Sequence, residues 1–226
     1  MVTLSEAVKE IQQLEHGNLG QQIALIEEKL RGANKKICEE YFKTMQITPS
    51  LFDSACVLKR LAGQINVIVH AVGIMLSLPY ILRDDEVIQG LSLGAGNTGE
   101  PFDIETNYRI AEFKFIHWKG GPESIRKNQL FKDFYLLAEY DTTKERFLYV
   151  VDDRQPLKFF NSGRSLSSVM SRNNKLWNEF QNLYQRRFIT VQDYFNFRKS
   201  QVIITDLRII VPEFSNGFEL VDESSK

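Results

Sequence analysis

The sequence predicts a mixed α/β fold: a core ordered α-β-β-β-α-β over about residues 50–151, with added N-terminal helices before it and a helical C-terminal extension after it. Three observations carry that expectation. A helical run from about residue 50 leads into a long apolar stretch at 65–82. Three short strand-like runs, at 86–93, 101–105 and 109–117, then follow one another across glycines and polar turns. Finally, a helical pattern over 123–140 precedes 146–151, an apolar run of the kind buried on both faces of a sheet. With 226 residues, 43% hydrophobic and 25% charged, the chain has the apolar material for a full core, which argues against wholesale disorder.

Taken in order, Leu4, Val8, Ile11 and Leu14 recur at helical spacing behind a Thr3 or Ser5 cap, and His16-Gly17-Asn18 ends that helix. A second helix, from about Gly20 to Phe42, sets Ile23, Ile26, Leu30, Ile37 and Tyr41 on one stripe and its charges on a solvated face. Thr48-Pro49-Ser50 breaks the chain before the long helix. Its segment 65–82 approaches the roughly 20 apolar residues of a membrane span. It also carries Asn66, His70, Ser77 and Pro79, so the expectation is a central helix buried by the protein on nearly all sides, with His70 a hydrogen-bonded core residue.

The glycines of 94–99 lack a Gly-Lys-Ser/Thr ending and precede a strand, so they read as a tight turn rather than a phosphate cradle. The helix at 123–140 turns Ile125, Leu130, Phe134, Leu137 and Ala138 to one side, and Trp177, Phe180, Tyr184 and Phe188 recur as core positions of a later helix. A last strand over 201–211 returns to a sheet edge. The segments are then 1–48, a helical segment packed on the core; 49–153, the core; and 154–226, a basic helical extension, all in one compact unit.

The chemistry concentrates at 96–116. Residues two apart in a strand share a face, about 7 Å apart, so Glu112 and Lys114 point one way and Phe113 and Phe115 point into the core. Asp103 sits near the end of the preceding strand, and Glu105 shares its face. Two carboxylates and a lysine on one rim make a compact acidic site for one divalent cation, which takes oxygen ligands and keeps several waters. Asp103 and Glu112 supply carboxylates, and the backbone carbonyl of Phe113 lies between them as a further ligand. Lys114 is placed to orient or deprotonate an attacking water, or to neutralise charge growing on phosphorus. A bare Glu-x-Lys is as readily an ordinary polar stripe; the Asp on the neighbouring strand and the surrounding helices set this one apart.

Pro101-Phe102-Asp103 followed by Glu112-Phe113-Lys114, within this order of elements, resembles the PD-(D/E)XK nuclease superfamily, the restriction-endonuclease-like fold, over about residues 50–151. Phe102 is inserted between the proline and the aspartate, a departure the superfamily's loose pattern tolerates. The resemblance implies a metal-dependent endonuclease hydrolysing phosphodiester bonds of DNA, of restriction or repair type, using Mg2+ or Mn2+ with Asp103, Glu112 and Lys114 as catalytic residues. It also implies an acidic residue from the first core helix, for which Asp53, early in that helix, and Glu27 and Glu39, in the preceding one, stand as alternatives, and a polar residue in the helix after the motif, for which Lys127 and Gln129 are candidates.

The charge is uneven. Residues 154–200 hold nine basic residues against two acidic ones, a net of +7, whereas the whole chain carries −1. Lys175, Arg186 and Arg187, with Arg172 and Lys119, are therefore candidates to hold the backbone of double-stranded DNA, and cutting both strands favours a homodimer. The alternative is a non-catalytic nucleic-acid-binding or assembly module on the same fold; an anchor through 65–82 is a weaker third reading. Cys38 and Cys56 fit no Cys-x-x-Cys or zinc spacing, and Met1–Glu6 lack a basic stretch leading into an apolar one, so the expectation is free thiols in a reducing cytoplasm without membrane attachment.

Overall fold

The computed structural model describes residues 3–12, 19–94, 99–116, 124–170, 173–212 and 214. It is a mixed α/β protein with a five-stranded mixed sheet and ten helices among those residues. The chain divides into two compact units, residues 1–66 and 67–226, and the division falls inside one long helix, α4 (Pro49–Ile81).

The first unit is helical: α1 (Leu4–Gln12), α2 (Leu19–Leu30), α3 (Lys35–Thr44) and the start of α4. The single helix expected over 20–42 is two helices. Gly32 takes φ +79°, a conformation that ends a helix and suits glycine, and Asn34 restarts the chain by accepting the Ile37 N–H at 3.1 Å. Thr48 caps α4 through the Leu51 N–H, with Pro49 at the first helical position, where its missing N–H costs nothing. Glu10 of α1 accepts the hydroxyls of Ser50 and Ser54, at 2.7 and 2.8 Å, which ties α1 to the start of α4.

The second unit is built on strands β1 (Ile88–Leu91), β2 (Ile104–Thr106), β3 (Arg109–Lys114), β4 (Glu145–Val150) and β5 (Ile203–Asp206), in that spatial order. β1, β2 and β3 form an antiparallel meander. β4 and β5 add in parallel, which needs a crossover, supplied before β4 by α5 (Ser124–Glu139). Short helices α6 (Arg154–Phe160), α7 (Leu166–Met170), α8 (Asn174–Tyr184) and α9 (Val191–Arg198) lie between β4 and β5. The strand expected over 201–211 is shorter: the Asp206 carboxylate accepts the Arg208 N–H and starts the one-turn helix α10 (Leu207–Ile210).

Alternation along the strands divides the core in two. Ile110, Leu148 and Val150 join Leu130, Phe134, Tyr135, Phe180 and Tyr194 on the α5 face. Ala111, Phe113, Tyr149 and Val151 face the other way and pack with Ile74 and Ile81 of α4. Burying each large side chain contributes roughly 1.5–3 kcal/mol, so the two layers fix the tilt of β3 between α4 and α5. Glu139 of α5 joins the later helices to the core by accepting from Tyr194, Tyr184 and Arg198. Across the sheet, Arg109 is clamped by Glu86, at 2.5 and 2.6 Å, and donates to the Tyr149 hydroxyl.

One expectation fails outright. The apolar part of α4 is not enclosed: within the second unit Val67, Ile68, Val69, Val72, Met75, Leu76 and Tyr80 are exposed, and His70, Ala71, Gly73, Ile74, Ser77, Leu78 and Ile81 are half-buried or buried. Ile74 and Ile81 pack with sheet residues and with Leu207, Val211 and Phe214, which covers one face of the helix. By length and composition α4 is also apolar enough to cross a membrane.

Candidate active site

β3 ends at Lys114, and the register pairing Ile104 with Ala111 sets Asp103, just ahead of β2, level with Glu112. Asp103 was expected inside a strand; it lies instead in the bend before β2. There its Oδ2 accepts the Phe113 N–H at 2.8 Å, and its own carbonyl accepts the Ser92 N–H. Its Oδ1 lies 3.1 Å from Nε2 of His70, delivered by α4. The hydrogen bond read for His70 from sequence is therefore to the site itself.

On the α5 face, Lys114 Nζ bridges two carboxylates, Glu112 Oε2 at 3.1 Å and Asp133 Oδ2 at 3.0 Å. Asp133 sits on α5 one turn after Gln129, whose amide donates to it at 3.0 Å. Asp103, Glu112, Lys114 and Asp133 thus converge with His70 at one end of the sheet, supplied by α4, the β2 approach, β3 and α5.

The electrostatics follow from burial. Burial pushes the Glu112 carboxyl up to about 8; the attraction of Lys114 opposes this, and the carboxylates of Asp133 and Asp103 add to it. Burial likewise raises Asp133, against Lys114. Burial by itself would lower Lys114, but Asp133, Glu112 and Asp103 outweigh it, and the ammonium is held above its ordinary value. Two buried carboxylates, Asp103 and Asp133, and the half-buried Glu112 surround one lysine; burial is the main reason Glu112 is reluctant to ionise, and the two neighbouring carboxylates add to it. Such a donor set fits a hard divalent cation. The fit requires Glu112 to turn toward Asp103, because these acids and His70 do not form a tight ready-made cluster among the described residues.

A tight acidic cluster does exist elsewhere, at Asp152, Asp153 and Asp206, where β4 and β5 end. Two arginines answer it: Arg154 pairs with Asp152, and Arg208 with Asp206 at 2.7 Å and Asp152 at 3.1 Å. The Arg154 hydrogen bonds are the main reason Asp152 lies below its ordinary value.

Other sequence candidates are placed apart. Glu105 pairs with Lys144 at 2.6 Å, a partner outside the cluster. Asp53, Glu27 and Glu39 are exposed residues of the first unit. Gln129 reaches the site through Asp133, while Lys127 is half-buried two residues earlier on α5. Lys119 and Arg172 lie outside the described residues. Of the remaining basic candidates, Lys175 pairs with Glu179 at 3.9 Å, Arg187 lies over the rings of Phe188 and Phe197, and Arg186 is exposed.

Sequence reading missed Asp133. Its signal was a carboxylate one turn after Gln129 and inside the apolar run of α5, flanked by Leu130, Phe131, Phe134 and Tyr135; a buried acid there needs a cation, and Lys114 is that cation. No protein-family model, no curated protein and no solved structure matches this chain, so its function rests on the chemistry of this cluster.

Proposed function

We propose that the chain is a metal-dependent phosphodiester hydrolase acting on DNA, with a restriction-endonuclease-like core. The observation that carries the reading is the meeting of Asp103, Glu112 and Lys114 with a further buried carboxylate, Asp133, at one sheet end. Asp103 and Glu112 hold a divalent cation, Mg2+ or Mn2+, beside the Phe113 carbonyl. When bound, that ion polarises the scissile phosphoryl group and acidifies a bound water. The Phe113 N–H keeps the Asp103 carboxylate oriented. Lys114, held protonated between two acids, is unsuited to abstract a proton; it orients water and opposes the negative charge that grows on the phosphoryl oxygens. Asp133, anchored by Gln129, keeps the lysine in place when Glu112 turns to the cation. The basic stretch of 154–200 would contact phosphates, and binding through it weakens with salt.

Incubating the protein with supercoiled and linear DNA, with Mg2+, Mn2+ or chelator, tests this. Cleavage should need the cation and disappear in Asp103→Ala and Lys114→Ala; cleavage that survives both variants would remove the cluster from the chemistry. A non-catalytic module is the second reading, favoured by Asp103 having both oxygens already engaged. Calorimetric titration separates the two, since such a module need bind no cation at Asp103 and Glu112.

A further inference from the structure

We propose that the groove between the ends of α5 and α8 binds a protonated primary amine carried on a short alkyl chain. It shares no residue with the cluster of Asp103, Glu112, Lys114 and Asp133, so it stands or falls apart from the activity proposed there.

The groove encloses about 450 Å³, between Tyr135, Glu139 and Tyr140 at the end of α5 and Glu179, Asn182 and Leu183 at the end of α8. Tyr135 lines it while only 3% exposed. Its hydroxyl has no hydrogen-bond partner among the described residues, yet it is not sealed off. Whatever displaces water from the groove must replace the bond that water makes there, which calls for a polar head at the floor.

The charges select that head. A helix C-terminus carries partial negative charge that a basic residue commonly answers, but neither α5 nor α8 has one in its last turn. Glu139 and Glu179 line the groove instead. Glu139 is satisfied by Arg198 and by the hydroxyls of Tyr184 and Tyr194, whereas Glu179 has only the exposed Lys175, 3.9 Å away. Beyond the two ends, Arg146 reaches the Tyr140 carbonyl, Arg187 lies over Phe188 and Phe197, and Arg186 is exposed; none of them lines the groove. The field registers at Tyr135: burial first, then Glu139, Tyr184 and Glu179, hold its hydroxyl above the ordinary value, against Arg198.

An ammonium offers three N–H donors and no acceptor. The Tyr135 hydroxyl oxygen, the Glu179 carboxylate and the Asn182 side-chain oxygen are acceptors supplied by the two walls. Aromatic rings attract such a charge, and Tyr135 and Tyr140 are both present. Leu183, 62% exposed, gives an alkyl stem an apolar surface to cover.

The test is a ligand-observed nuclear magnetic resonance titration of the full chain at neutral pH, with butylammonium and its neutral isostere butanol as probes. Butylammonium should bind about tenfold or more tightly than butanol. Glu179→Gln, a half-exposed change, should weaken it about threefold. Tyr135→Phe, which removes a hydroxyl without an internal partner, should weaken it about tenfold. Acetyl-lysine amide identifies the source: binding as tight as that of butylammonium assigns the groove to a lysine side chain of another polypeptide, and weaker binding assigns it to a free amine. Wild-type protein that binds no butylammonium, or binds butanol as tightly, overturns the proposal, and this comparison needs no variant to fold. Butylammonium binding unchanged in either variant overturns it as well, because the amine then sits elsewhere on the surface.

Discussion

Glu112→Gln should make the cation-free protein more stable. The folded chain keeps the Glu112 proton up to a pH of about 8, against an ordinary value of 4.5. Between those values the unfolded chain binds fewer protons than the folded one, so stability falls as pH rises through the window and levels off above it. Each unit costs about 1.4 kcal/mol, which makes the penalty on the order of 3 kcal/mol at neutral pH. Glutamine resembles the protonated acid, still accepts from Lys114 and carries no such penalty. Urea denaturation in chelator, followed by far-ultraviolet circular dichroism, should give nearly equal midpoints for wild type and variant near pH 4.5, and a variant advantage growing to about 1–3 kcal/mol near pH 7. Saturating Mn2+ should reverse the order, because a ligand at about 1,000 times its dissociation constant stabilises the wild type by about 4.1 kcal/mol. Parallel pH profiles, or a variant less stable than the wild type near neutral pH, would refute the account of a Glu112 carboxyl kept protonated chiefly by burial.

Two further outcomes follow from the packing. Gly73→Ala drives a methyl group into the Phe115 ring, which is confined by Phe113 and Phe214; overpacking of about 1–3 kcal/mol outweighs the roughly 1 kcal/mol that alanine gains as a helix former, so thermal denaturation should show a net loss, and an unchanged or raised midpoint would show that the helix approaches less closely. For Glu86, burial alone would raise the carboxyl, but Arg109, the Thr106 hydroxyl and the Arg83 N–H hold it below its ordinary value, so its stabilisation is present above that value and is lost as pH falls through the lower folded one. Glu86→Gln should cost about 3 kcal/mol at neutral pH by leaving Arg109 poorly compensated, and the gap to wild type should narrow as pH falls below the ordinary carboxylate value; a gap independent of pH would show that the pair is not ionic.

The sequence by itself determined the order of elements from residue 49 to 150 and the common face of Glu112 and Lys114. Both depend on local periodicity: two residues per repeat in β3, about 3.6 in α4 and α5. It also determined that Phe113 turns inward and that the Trp177–Phe180–Tyr184 series packs on the core. Helix ends were less legible, since the break at Gly32 depends on a backbone angle that a continuous apolar stripe does not reveal.

Only the tertiary structure decided which charges meet. Asp103 finds His70 from 33 positions away, Lys114 finds Asp133 on the next helix, and Glu105 is taken by Lys144 from 39 positions away. Such pairings depend on how α4 and α5 cross the sheet, which no periodicity records. Whether the apolar α4 is enclosed was likewise a tertiary matter, because apolarity states that a face favours burial and not whether a partner covers it. The Asp-x8-Glu-x-Lys spacing of residues 103–114 was readable from the chain alone. The buried carboxylate that holds the lysine and the histidine beside the aspartate came from the fold, because both reach the site through space.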